Sequence, residues 1–369
     1  YKRQDNENGG ERGFAIYVGG GLGRLPHIGK LIRDYLPREH LLSYLDAVLR
    51  VYNRLGRRDN KHKARIKILV NALGKRRFTE LVEAEWNKLK DGPLTLTEDD
   101  YSRMAEFFPV HSYDAQAADD LEHAVKLGEN EAYARWCQHN LMAHKQPGYH
   151  AVVISLKPFG EAPGDISDAQ LDAVADLADQ YSFGEVRNTH DQNMVLADVK
   201  QADLFAVWQA LDKLQLATPN IGTINDMICC PGLDFCSLAN AGSIGIAKEI
   251  NQRFDNLDYL YDLGEIKLKM SGCMNGCGHH SVGHIGILGV DKKGDEWYQI
   301  MLGGSSTNDA SIGDRIGASL DKTEVVNALE KVINVFVEKR DEGERFLDTY
   351  RRIGIEPFRE RVYPQKEAA

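Results

Sequence analysis

The sequence predicts an α+β protein of two or three domains, and three observations predict it. A chain of 369 residues exceeds what one hydrophobic core ordinarily serves. Residues 25–90 repeat apolar positions at intervals of three and four, each run stopping at Gly or Pro, which is helical patterning. From residue 149 the pattern switches to strand, helix, strand, strand, helix, so both periodicities share one unit.

The elements follow in order. The polar opening "YKRQDNENGGERG" leads into a strand, "FAIYV", and reads as the tip and return arm of a hairpin. "HIGKLIRDYLP" predicts a helix ending at Pro37, "EHLLSYLDAVLRVYNRLG" one ending at Gly56, and "HKARIKILVNALG" one ending at Gly74; "FTELVEAEWNKLKDG" repeats the pattern. Residues 91–146 are polar and predict a surface connector with short helices. "YHAVVISLKP" is a strand, and "SDAQLDAVADLADQY" is a helix whose Ser167 and Gln170 form a capping box. "GEVRNT" and "NMVLADV" are strands and "ADLFAVWQALDKL" a second helix, the order of a ferredoxin-like split βαβ unit. Beyond residue 218, "YLYDLGEIKLKMSG" and "HIGILGVDKKGDEWYQIMLGG" predict strands, and residues 322–354 a closing helical stretch.

Composition narrows the function classes. With 43% hydrophobic and 27% charged residues the chain is an ordinary globular one. It has no apolar run long enough for a membrane span. A net charge of -10 argues against nucleic-acid binding and suits a cytoplasmic enzyme. There is no opening Met and no signal peptide, so the expectation is a portion of a longer protein whose upstream part is missing.

Five of the six cysteines fall between 229 and 277, in "CCPGLDFC" and "SGCMNGCGHH". Cys137 stands apart and reads as a small buried hydrophobe. Gly-rich flanks fit a packed core poorly, since Gly offers no side chain to pack. Zinc knuckles use tighter spacings, although His279, His280 and His284 keep zinc open. An iron–sulfur cluster needs four converging thiolates and backbone N–H groups near its sulfides, which irregular Gly-rich loops supply. On that reading the ligands are Cys230, Cys236, Cys273 and Cys277, with Cys229 a spare neighbour.

These paired motifs resemble those of the sulfite and nitrite reductases that carry a sirohaem coupled to a [4Fe–4S] cluster. "GFAIYVGGGLGRLP", "HLLSYLDAVLRVYNRLGRRDNKHKARIKILV", "GEVRNTHDQNMVLADV" and "YQIMLGGSS" extend the resemblance, to the haemoprotein (beta) component of sulfite reductase, over nearly the whole chain. It implies sirohaem/iron–sulfur α/β units around the ferredoxin-like unit: residues 1–105 as the end of a first sirohaem-type domain, 106–147 as connector, 148–217 as the ferredoxin-like domain and 218–369 as the cluster and sirohaem domain. The upstream half, with much of the substrate face, is then absent.

The resemblance also implies residue roles. Cys277 would bridge cluster and sirohaem iron. Sirohaem is rich in carboxylates, so Arg57, Arg58, Lys61, Lys63, Arg65 and Lys67 become candidate partners, against the ordinary alternative of a solvated basic face. Arg187, Asn188, Thr189, Gln192 and Asn193, in a hairpin turn, become candidate neighbours of the cofactor, and Gly303, Gly304 and Ser305 a backbone approach to it. "GGGLG" at 19–23 lacks the helix-opening Gly of a dinucleotide fingerprint; it either cradles a carboxylate or turns the chain.

The implied activity is six-electron reduction of sulfite to sulfide in assimilatory sulfate reduction. Because no flavin or nicotinamide motif is visible, electrons would come from a partner, an NADPH flavoprotein component or a ferredoxin. Nitrite reduction to ammonia is the nearest alternative. A noncatalytic zinc or cluster module is an alternative of another class, separated by iron and sulfide analysis.

Overall fold

A computed structural model of the chain describes residues 2–5, 12–108, 110–114 and 121–364. The chain divides into two units, Tyr1–His111 and Ser112–Ala369, and the division falls inside the polar segment predicted to be a connector.

In the first unit β1 (Lys2–Asp5) and β2 (Arg12–Val18) pair antiparallel, with Lys2 opposite Ala15 and Asp5 opposite Arg12. This is the hairpin expected of the polar opening; its turn, residues 6–11, lies outside the described residues. β2 pairs on its other side with β3 (Lys30–Pro37), completing a three-stranded sheet. Here the structure corrects the sequence reading, which makes residues 27–37 a helix. Ile32 and Leu36 are the buried positions, and a spacing of four fits a helix turn and a strand face equally. Pairing with β2 decides for the strand, and Pro37, lacking an N–H, is tolerated as the last residue of an edge.

Helices α1 (Leu41–Leu55) and α2 (Ile66–Trp86) pack on this sheet through Val48, Val51, Val70, Phe78 and Val82. Gly74 interrupts α2 at φ 75°, where the sequence predicts a helix end. Helix α3 (Glu98–Ala105) starts at a capping box made by Thr97 and Asp100.

The second unit begins with α4 (Leu121–Glu129) and α5 (Glu131–Asn140). The connector expectation fails for α5, because Tyr133 and Trp136 are fully buried against Val152, Ile154 and Leu211. The polar face of α5 dominates its composition, while two aromatic anchors decide its position. There follow β4 (Leu141–Ala143), β5 (Tyr149–Ile154), α6 (Asp168–Tyr181), β6 (Val186–Asn188), β7 (Met194–Lys200) and α7 (Leu204–Lys213). The antiparallel sheet has the order β4-β5-β7-β6, and β5 to α7 run in the predicted βαββα order. Ser167 and Gln170 form the predicted capping box.

A third sheet carries the cysteines. Its strands are β8 (Ile228–Cys229), β9 (Leu268–Ser271), β10 (Ile285–Lys292), β11 (Asp295–Leu302), β12 (Asp314–Arg315) and β13 (Leu320–Asp321). The order is β12-β11-β10-β9-β8, with β13 also on β11. β8, β9 and β10 are mutually parallel, and β10 returns into β11 through Lys293 and Gly294, both at positive φ as a two-residue hairpin loop of this kind requires.

Between β8 and β9 lie α8 (Ile244–Arg253) and α9 (Leu257–Leu263); α10 (Val325–Lys339), α11 (Phe346–Ile353) and α12 (Glu356–Val362) close the chain. The start of the predicted strand 259–272 is therefore helical. Asn256 caps α9 by accepting from the Tyr259 N–H, and Gly264 at φ 70° ends it, so the strand begins only at Leu268. Among the described residues no helix is long and apolar enough to cross a membrane.

The two sheets of this second unit meet at a buried polar joint. Lys157, fully buried, donates to Asp226 Oδ1 at 2.6 Å, to Asn193 Oδ1 at 3.0 Å and to the Asp191 carbonyl. Asn193 Nδ2 donates to the same Asp226 oxygen at 2.9 Å, and Asp226 Oδ2 accepts from Gly222 N–H at 2.9 Å. Lys157→Met strands a buried carboxylate and should lower stability to urea by about 3–5 kcal/mol. The double variant with Asp226→Asn should recover part of that loss. A single-variant loss below about 1 kcal/mol would show instead that the pair behaves as a solvated one.

Candidate functional site

Cys230 directly follows β8, and Gly272 and Cys273 directly follow β9. Since these strands are parallel neighbours, both cysteine loops leave the same edge, the carboxyl ends of the strands, where open α/β sheets bind ligands. Main-chain hydrogen bonds join the loops. Cys230 N–H donates to Met270 O at 3.1 Å, and Asn240 and Ala241 N–H donate to Gly272 O at 2.8 and 3.0 Å.

This closeness explains the glycines. A β-carbon on Gly232, which sits at φ +61°, or on Gly272 would lie 2.7 Å from Ala241 O. One on Gly278 would lie 1.8 Å from Met270 O. No side chain fits at these positions.

The six cysteines are free thiols. Cys230 Sγ accepts a hydrogen bond from Gly272 N–H at 3.0 Å, the donor type that thiolates on a metal cluster require. Burial raises the Cys277 pKa, and the negative charges of Cys230, Cys273 and Cys236 raise it further, so these four sulfurs share one electrostatic neighbourhood. A thiol held in its protonated form by such neighbours ionises more readily when a cation binds beside it. Cys229 is different. It is buried, its pKa is driven up chiefly by that burial, and its Sγ donates to the Cys230 carbonyl at 3.3 Å. Cys137 is half-buried against the ferredoxin-like core, its pKa pushed up by burial to about 11.

Spacing bears on what the four thiols can hold. Among the described residues no three cysteine sulfurs lie within 4.8 Å of one another. A single zinc ion, with bonds of about 2.3 Å, would hold them at roughly 3.8 Å. An iron–sulfur cubane is bulkier than a single ion and does not ask its thiolates to stand that close. Of the histidines once open as zinc ligands, His280 and His284 are buried, their pKa values pushed down by burial to about 4. His284 Nδ1 accepts from Lys267 N–H at 3.2 Å, while His279 is exposed at φ 58°.

The remaining candidates fall in several places. Gln192, at φ 58°, clamps the cysteine strand: its Nε2 donates to Cys229 O at 2.9 Å, and its Oε1 accepts from Cys229 N–H at 2.8 Å. Asn193 is buried in the Lys157 joint, Arg187 pairs with Glu185, and Asn188 is exposed. Gly303 takes φ +84° where a β-carbon would strike the Tyr350 ring, and Gly304 presses on the Gly283 carbonyl.

In the first unit, Arg57 pairs with Asp59, Arg58 stacks 4.9 Å from the Tyr52 ring, and Arg65 donates to the Ala64 and Lys61 carbonyls. Lys61 and Lys63 are exposed. Lys67 Nζ donates to the Leu22 and Leu25 carbonyls, each at 2.7 Å, and so holds the 19–23 glycine loop. Sequence reasoning misses Ser243, whose Oγ lies 3.9 Å from Cys230 Sγ, because "NAGS" matches no motif.

Comparison with known proteins identifies the family. The family model described as the nitrite and sulphite reductase 4Fe-4S domain matches residues 5–90 and 222–368, and that of the nitrite/sulfite reductase ferredoxin-like half domain matches residues 142–214. The chain belongs to the nitrite and sulfite reductase family. A sulfite reductase [ferredoxin] 2 of Mycolicibacterium paratuberculosis is 28% identical over 348 residues, covering 90% of this chain and 55% of the relative. An assimilatory ferredoxin-dependent nitrite reductase of Haloferax mediterranei is 25% identical, covering 90% and 54%, and a sulfite reductase [NADPH] hemoprotein beta-component of Staphylococcus saprophyticus is 24% identical, covering 93% and 55%. The solved structure of the Mycobacterium tuberculosis NirA protein superposes with a TM-score of 0.71 at 25% identity, covering 96% of this chain and 60% of that one. The chain thus spans about half the length of the curated relatives it matches.

The glycine cradle has a direct test. Gly278→Ala must displace the Met270 carbonyl and should lower stability by about 3 kcal/mol or more. Gly245→Ala, in α8 with nothing within 4 Å of the new carbon, should be neutral or stabilising by roughly 0.5–1 kcal/mol. Equal effects in thermal unfolding would remove the crowding argument.

Proposed function

We propose that the chain is part of a sulfite reductase haemoprotein that reduces sulfite to sulfide by six electrons in assimilatory sulfate reduction, at a sirohaem coupled to a [4Fe–4S] cluster. The observation that carries this reading is the shared electrostatic neighbourhood of Cys230, Cys236, Cys273 and Cys277 on two glycine-lined loops. These four would hold the cluster, with Cys277, the exposed one, also turned to the haem iron. Once bound, the two groups supply electrons to a small anion. The chain's own part is positional. Gly272 N–H moderates the basicity of Cys230 Sγ, Gln192 fixes the main chain just before it, and the burial of Cys273 keeps water from that sulfur.

The same reading assigns domains at 1–105, 148–217 and 218–369 with a connector at 106–147. It gives Arg57, Arg58, Lys61, Lys63, Arg65 and Lys67 to haem carboxylates, and Arg187, Asn188, Gln192, Asn193, Gly303 and Gly304 to the cofactor's surroundings. Lys61 and Lys63, exposed, are the freest of the basic set to turn toward a ligand, and Lys67 would act through the glycine loop it holds. The electron donor is a ferredoxin or an NADPH flavoprotein, the two donors that appear in relatives' names. Free thiols suit a reducing, cytoplasmic setting. Reduction of nitrite is the second reading, favoured by the Haloferax relative, and relative turnover of the two anions by the full-length protein separates them.

Two predictions test the proposal in the full-length protein. Replacing Cys230, Cys236 or Cys273 by Ser should deplete iron and acid-labile sulfide, whereas Cys229→Ser and Cys137→Ser should retain both. Cys277→Ser should in addition abolish magnetic coupling between haem and cluster in electron paramagnetic resonance. Unchanged iron in Cys236→Ser, or zinc in place of iron in the parent protein, would end the assignment. Separately, changing Lys61 and Lys63 together to Gln should lower haem absorbance per protein while leaving the circular dichroism spectrum unchanged. Full haem retention would return this stretch to a solvated face.

A further inference from the structure

Among the described residues of the second unit two lysines are buried, and their surroundings differ. Lys157 has a carboxylate, an amide oxygen and a carbonyl around its ammonium. Lys269, on β9, is only 3% exposed. Its Nζ makes a single hydrogen bond among the described residues, to Ser306 Oγ at 3.3 Å. Asp191, whose charge it feels, lies beyond ion-pair distance and turns to His190 at 3.5 Å. Lys267, also near, adds a second positive charge and has Glu265 at 3.8 Å. A buried ammonium with one neutral partner, beside another cation, is unfavourable unless an anion completes it.

The route to that anion is visible. Ser306 is exposed, in the loop after β11, so the ammonium lies directly beneath a surface hydroxyl. The loop itself is held. Ser305 and Ser311 pair main chain to main chain at 3.0 and 3.1 Å, and Asp309 carries an ion pair with Arg351 at 2.5 Å. A rigid rim above a buried cation is preorganised for oxyanions, since ordering it at the moment of binding costs little.

We propose that Lys269 and Ser306 form an oxyanion-binding site. Its ligand is a carboxylate or an inorganic oxyanion, which share this chemistry; the first source, a carboxylate arm of the macrocycle, rests on the sirohaem reading and the second does not. The test uses inorganic phosphate on the haem-free chain, against chloride at equal ionic strength, by titration calorimetry. Saturable binding is expected, weakened about tenfold or more in Lys269→Met and severalfold in Ser306→Ala, which keeps the fold because its hydroxyl is exposed. In chloride alone Lys269→Met should unfold at the same or a higher temperature than the parent. If phosphate does not bind but Lys269→Met lowers haem occupancy of the full-length protein, the ligand is the macrocycle carboxylate. A markedly lower unfolding temperature for Lys269→Met in chloride would show that the protein itself satisfies the ammonium, and would overturn the proposal. So would phosphate binding and haem occupancy that are both indifferent to Lys269. A parent protein without iron, sulfide or haem would defeat the sirohaem reading, and the phosphate titration would then decide this site alone.

Discussion

Parallel pairing of β8 with β9 is the contact on which the rest of the second unit depends. Two motifs remote in sequence become one site because their strands run side by side in the same direction and end at the same edge. An antiparallel arrangement would send the loops to opposite ends of the sheet. Parallel strands need a crossover, and α8 and α9 supply it while burying Ile246, Ile250, Leu260 and Leu263 in the core beneath the sheet. The loops then meet at main-chain distance, and this excludes side chains at Gly232, Gly272 and Gly278.

Electrostatics sorts the residues around this edge. Burial and the neighbouring charges of Cys230, Cys273 and Cys236 raise the Cys277 pKa, which places the four sulfurs in one electrostatic neighbourhood. Cys229, one residue away, faces into the core and stays a thiol. The neighbouring ferredoxin-like layer contributes no sulfur, yet Gln192 holds the strand that delivers Cys230, and the Lys157 joint stands behind Gln192. Polar groups buried in this way tolerate one arrangement, because each alternative leaves a donor or acceptor unmet.

Much of this fold was legible in the sequence where local patterns agree with tertiary contacts. The capping box at Ser167, the βαββα order and the strands within residues 284–304 are such cases. Legibility ended where two periods coincide or where the decisive partner is remote. Ile32 and Leu36 satisfy helix and strand alike, and only β2 chooses between them. α5 looks like a connector until Trp136 is seen to be fully buried. At the site, the cysteine spacing and its glycines were visible. The partnerships of Lys157 with Asp226 and of Gln192 with Cys229 were not, because no local rule links residues that meet only across two sheets.

The main-chain stitching of the cysteine loops has a consequence for how the protein comes into being. Cys230 leans on Met270 and Gly272, and Gly278 in turn sits against Met270, so neither loop has its final shape until the other has been synthesised and paired. Parallel pairing across such a separation is among the slower steps of folding, since the chain entropy is lost before the contacts form. During synthesis on the ribosome, then, the first cysteine loop emerges without a template and waits for the second. Any ligand that needs both loops can therefore be taken up only after β8 and β9 have paired.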